Sequence, residues 1–162
     1  MSRVTISVLA ATLCLTGCGK SQPKTAEGKP ITIDKAIYMS AADCAEGGKL
    51  SADDCSILID NAVKIHEKTA PVFKGVRSCE EASGPDRCEK DVNGNYRMRL
   101  QAFMFEIGGP QPVVTALYPS ADGKIGFRDP AKKLVDARDD NLIVSQASLQ
   151  TAHENAKLGK KK

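Results

Sequence analysis

The chain has 162 residues, with 23 Lys and Arg against 20 Asp and Glu, and its net charge of +3 makes no case for nucleic acid. Tryptophan is absent and aromatics are 4% of residues, which argues against a large hydrophobic core and leaves room for one modest domain.

The first segment is a leader. Met1-Ser2-Arg3 is basic and Val4 to Leu15 is apolar, a run too short to cross a bilayer permanently. It ends in Leu15-Thr16-Gly17-Cys18, which resembles the lipobox of bacterial lipoproteins. The resemblance implies that residues 1–17 are removed and that the Cys18 thiol accepts the lipid. An ordinary secretory signal cleaved near Gly17 is the alternative. Acyl chains would anchor the chain firmly, at about 0.8 kcal/mol per buried methylene. Gly19 in place of an aspartate resembles the sorting signal for the outer membrane, with the protein facing the periplasm. Residues 18–35 are rich in Lys, Pro, Gly, Ser and Thr and read as a flexible tether with a reach of roughly 20–25 Å.

Two copies of one phrase follow, Ser40-Ala41-Ala42-Asp43-Cys44 and Ser51-Ala52-Asp53-Asp54-Cys55. Each serine with the acid three positions on fits a capping box, in which the acid reaches back to the serine amide. The phrase therefore predicts two successive helix starts, with Met39 and Leu50 as staples. Gly47-Gly48 ends the first helix, and Ala70-Pro71 ends the second near Lys68. Cys55, Leu58, Ala62, Ile65 and Thr69 are predicted to face inward, leaving Asp60, Lys64, Glu67 and Lys68 as a candidate binding surface. An EF-hand reading fails for want of ligands at the alternate positions.

A third helical turn is expected from Ser78 as cap, and Gly84-Pro85 turns the chain back toward Cys88. With Cys14 in the leader and Cys18 acylated, Cys44, Cys55, Cys79 and Cys88 remain, and an even count in an exported chain predicts two disulfides. A four-cysteine zinc site is disfavoured because close Cys-x-x-Cys pairs are missing. Local pairing, 44–55 and 79–88, is favoured over crossed pairing.

Tyr38, Ser40, Asp43-Cys44, Cys55, Ala62, Thr69-Ala70-Pro71, Phe73, Cys79-Glu80, Gly84 and Cys88 resemble the YgiB-like family of Gram-negative lipoproteins. The family is a domain of unknown function. The resemblance implies an exported lipoprotein with a cysteine framework, and it carries no catalytic residue.

From Tyr96 the pattern becomes strand-like, with YRMRLQ alternating, AFMF apolar on both faces, and PVVTALY leading through a turn that contains Ser120 into IGF. KLVDA and NLIVS are expected to form a hairpin around Arg138-Asp139-Asp140. The end is weakly helical and then basic. The fold class is α+β: a short disulfide-stapled helical N-terminal half followed by a small antiparallel sheet. The domain spans 36–156 and a basic tail 157–162.

Candidate chemistry is thin. His66 lies near a helix C-terminus, where packing outweighs ligation, and His153 is expected in solvent. Asp43 and Asp54 are explained by capping, and Met98, Phe103, Met104 and Phe105 by a sheet core. No phosphate loop, nucleophile elbow or metal motif is found, and no cofactor is expected. The expected function is that of a lipid-anchored periplasmic envelope protein with a non-catalytic binding or scaffolding role, its partner an envelope protein or a small ligand. The alternative is a periplasmic hydrolase or redox enzyme, which a polar cleft holding His66 with an acid would favour.

Overall fold

The computed structural model describes residues 33–120 and 123–158. The leader, Cys18, the tether up to residue 32 and the lysines at 160–162 lie outside the described residues. The α+β class holds, but the order of elements differs from expectation. Among the described residues a strand, β1 (Asp34–Tyr38), comes before the first helix, so Asp34 and Lys35 belong to the sheet and not to the tether. Helices α1 (Ala41–Glu46), α2 (Ala52–Thr69) and α3 (Val76–Ser83) follow.

Both predicted caps form. Ser40 Oγ accepts the Asp43 amide at 3.2 Å and Ser51 Oγ accepts the Asp54 amide at 3.1 Å. The reciprocal half differs: Asp43 takes the Met39 amide at 2.7 Å, and Asp54 takes the Ser51 hydroxyl at 2.7 Å. Ser78 caps nothing, because α3 starts two residues before it, after Gly75.

The remaining elements are strands β2 (Cys88–Lys90), β3 (Tyr96–Met98), β4 (Ala102–Ile107), β5 (Val113–Pro119), β6 (Gly126–Arg128), β7 (Leu134–Asp136) and β8 (Leu142–Val144), and then helix α4 (Gln146–Leu158). β2 and β3 form a separate hairpin, so the expected YRMRLQ–AFMF strand is two strands in two sheets. The main sheet runs β7-β6-β5-β4-β1-β8. It is mixed, since β8 lies parallel to β1 while the other pairs are antiparallel. β7 and β8 therefore do not form a hairpin with each other; they occupy opposite edges. The physical reason is burial: Leu142 and Val144 of β8 complete the apolar cluster around Ile37, which a β7–β8 hairpin would leave uncovered.

The pleat sorts the core onto two faces. Ala36, Tyr38, Phe103 and Phe105 meet Cys44, Cys55, Ile59 and Ala62 of α1 and α2. Ile37, Ala102, Leu117 and Phe127 meet Ala152 of α4 on the other face. A fully buried phenylalanine such as Phe105 contributes about 1.5–3 kcal/mol. The inward stripe of α2 is Cys55, Ile59, Ala62 and His66, not the predicted set, and Ile65 is 59% exposed. At 3.6 residues per turn the observed four fall within about 60° of one another, a tighter stripe than the predicted five. Lys157 closes α4 and does not begin a tail. The last turns of α4 are held by Asn155, buried and exchanging hydrogen bonds of 2.6 and 3.0 Å with Gln101.

Disulfides join Cys44 to Cys55 and Cys79 to Cys88. The first ties the start of α2 to α1, and the second ties α3 to β2. Gly84 ends α3 at φ 101°, where a side chain would be strained, and a Cβ there would meet Arg87 Cδ at 3.2 Å.

A candidate binding cleft around His66

His66 is placed by α2 and fixed by β5. The stripe that faces the sheet brings the imidazole inward, and Tyr118, on the same sheet face as Phe103, meets it. Nδ1 lies 2.8 Å from the Tyr118 hydroxyl in a buried contact. Burial, and then the nearby Glu89 carboxylate, push the Tyr118 hydroxyl above its ordinary pKa, so it stays protonated. Nε2 is buried and makes no hydrogen bond; its nearest charged neighbour is Glu89 Oε1 at 3.9 Å. His66 is only 3% exposed, whereas the Glu89 side chain is 41% exposed. The glutamate thus stands half-exposed beside a buried ring.

The Cys79–Cys88 bridge positions Glu89, the next residue on β2. Beyond it the chain turns at Asp91, whose Oδ1 accepts the amides of Asn93 and Asn95 at 2.9 and 2.8 Å. Asp91 Oδ2 holds Arg97 Nη2 at 3.1 Å, and Arg97 Nη1 donates to the Glu67 carbonyl near the end of α2 at 3.3 Å. Burial raises the Asp91 carboxyl pKa, but the two amides and the guanidinium outweigh it and hold the group below the ordinary aspartate value. These groups line a cleft of about 410 Å³, with Val63 and Leu100 as its apolar part.

The cleft offers an open imidazole nitrogen beside a carboxylate, and an ion pair locked into its wall. A single ligand hydroxyl or amine can sit within hydrogen-bond reach, about 2.8 Å, of both Nε2 and Glu89. Among the described residues no serine, threonine or cysteine lines the cleft.

The other predicted residues lie elsewhere. Asp43 and Asp54 cap helices, and Asp43 also takes the Ser145 hydroxyl at 2.6 Å. His153 is exposed on α4. Phe103 and Phe105 are core, Met98 packs with Ala116 and Tyr118, and Met104 lies on the α4 side. Asp60, Lys64, Glu67 and Lys68 are exposed as expected, and of these only Glu67 borders the cleft. Tyr118, Asp91 and Arg97 escaped the sequence reading. The one local signal was Asp91-Val92-Asn93-Gly94, a turn in which an aspartate caps its own loop.

A family model described as a protein of unknown function, DUF1190, matches residues 32–154. No curated protein and no solved structure matches the chain.

Proposed function

The chain belongs to the DUF1190 family of proteins of unknown function, and on that premise we propose that it is a lipid-anchored envelope protein that binds a polar ligand or partner group in the His66 cleft without transforming it. The anchor reading rests on Leu15-Thr16-Gly17-Cys18 following a short apolar run, and the periplasmic, outer-membrane reading rests on Gly19. The binding reading is carried by one observation: a buried imidazole whose Nδ1 is held by Tyr118 and whose Nε2 is left open beside a half-exposed carboxylate. Leaving a buried nitrogen unsatisfied costs about 1–3 kcal/mol, and a ligand that satisfies it recovers that cost.

The same His66–Glu89 pair favours a hydrolytic second reading, as an acid–base couple activating water. That reading needs only a water between the two groups, and a covalent acyl route through a serine or cysteine has no residue among the described lining. The redox version has no support from the described cysteines, which are all in disulfides.

The test uses a photocrosslinking side chain at Val92, fully exposed on the rim of the cleft, in living cells. A discrete adduct is expected from Val92, lost when His66→Gln and Glu89→Gln are added. A probe at Ile57, exposed on α2 away from the cleft, should not give it. The same adduct from both positions, or none from Val92, would overturn the proposal.

A further inference from the structure

We propose that the cleft between residues 123–125, just before β6, and the C-terminal half of α4 is a binding site for a phosphoryl oxyanion. It measures about 450 Å³ and is lined by Lys124 and Ile125 before β6, Arg138 after β7, and His153, Ala156 and Lys157 on α4. It lies on the α4 face of the sheet, opposite α2, and rests neither on the anchor nor on the His66 cleft.

Charge sets it apart. The His66 cleft mixes Glu67, Glu89 and Asp91 with Lys90 and Arg97, and a third cleft beside Tyr38 carries Asp43 and Glu46 with no base. Among its described lining residues the α4 cleft has three cations, a histidine and no carboxylate. The acid nearest the chemistry, Asp136, serves the site indirectly. Its carboxylate grips Arg138 at Nε (3.0 Å) and Nη2 (2.7 Å), fixing the guanidinium and leaving Nη1 for a ligand. The Arg138 side-chain and backbone hydrogen bonds, with a smaller contribution from the Lys124 ammonium, hold the Asp136 carboxyl at about 2. Lys124 and Arg138 thus line the same cleft. Lys157 stands in the last turn of α4, where it offsets the negative end of the helix dipole.

After Asp136 has neutralised Arg138, the Lys124 and Lys157 charges meet no carboxylate among the described lining residues, and His153 stands beside them. A lone carboxylate would satisfy one fork of donors. Several donors of different reach, with a charge of about +2, suit a multi-oxygen anion of higher charge, which is a phosphate group. The group can belong to a phospholipid headgroup or to a soluble phosphate ester, and the experiment separates them.

The full chain, purified in a neutral detergent, is titrated with inorganic phosphate by calorimetry at low ionic strength. Saturable one-to-one binding is expected. Lys124→Gln with Lys157→Gln should weaken it by at least about tenfold, while Lys124→Arg with Lys157→Arg should change it by no more than about threefold. Both lysines are exposed, so the variants keep the fold. Lys64→Gln with Lys68→Gln, on α2, removes the same charge elsewhere and should change nothing. In a competition arm, phosphatidylglycerol in the micelles displacing phosphate better than glycerophosphoglycerol assigns the site to lipid headgroups. Equal displacement assigns it to soluble esters. No saturable binding of either probe, or equal weakening by the α2 pair, would overturn the site.

Discussion

His66 on α2 and Tyr118 on β5 share a buried 2.8 Å hydrogen bond across 52 positions of chain, and it is the polar seam between the long helix and the sheet. Tyr118→Phe strands a buried Nδ1 and is expected to cost about 1–3 kcal/mol. His66→Leu with Tyr118→Phe should cost less than the sum of the two single changes. Denaturant midpoints for the four proteins check this; strict additivity would mean that the bond contributes nothing of its own.

Ser51→Ala should lower stability by about 1 kcal/mol through the lost cap. Ser120 is no suitable control, since it is buried although it lies in a loop. Ser78, exposed inside α3 and capping nothing, is better. Ser78→Ala should shift the urea midpoint by less than about 0.5 kcal/mol in equivalent free energy. Equal shifts would contradict the observed helix starts.

Peptide mapping of the unreduced protein should recover the linked pairs 44–55 and 79–88 and no crossed species. Replacing Cys44 and Cys55 together by alanine opens a loop of about a dozen residues, a loss of about 2–3 kcal/mol in the chain-entropy account. The loss of Cys79–Cys88 should in addition release Glu89 from its place over His66, read as altered imidazole shifts in NMR.

Asp136 provides a pH signature. Its pKa falls from an unfolded value of 3.8 to about 2 in the folded protein, chiefly through its hydrogen bonds to Arg138. A depressed carboxyl stabilises above the unfolded value, and the gain disappears as pH falls through the folded one. Asp136→Asn should therefore destabilise at neutral pH and converge on wild type between pH 4 and 2. The pair is solvent-exposed and screened, so the neutral-pH effect should stay below about 1 kcal/mol. A gap that widens on acidification would reverse the assignment.

Metabolic labelling with a clickable fatty acid should mark the wild-type chain and leave Cys18→Ser unmarked. Equal labelling would remove the anchor from the functional proposal.

What could be read in advance was whatever is decided within a few residues. The two serine caps, the glycine stop after α1 and the even cysteine count all have local causes. β1 has none: Asp34–Tyr38 is five residues long, its edges are paired by β4 and β8, and its faces are covered by α1 and α2 on one side and α4 on the other. The helix stripe was misjudged by a fraction of a turn, because Tyr118, the partner that draws His66 inward, is invisible from α2. The His66 cleft was hidden for the same reason, since Glu89 reaches it through a hairpin and a disulfide. The basic cleft is assembled from three separate segments, so no window of sequence shows it.

The placement of β1 has a mechanical consequence. The first strand among the described residues is also an interior strand, gripped by β4 along Asp34–Tyr38 and by β8 along Lys35–Ile37. A pull entering the domain from that end runs along the strand, so it loads both ladders in shear, and many hydrogen bonds must break together instead of peeling one at a time. The strand cannot be gripped in this way until β8 has been made, so the domain can bear tension only once nearly its whole length is in place.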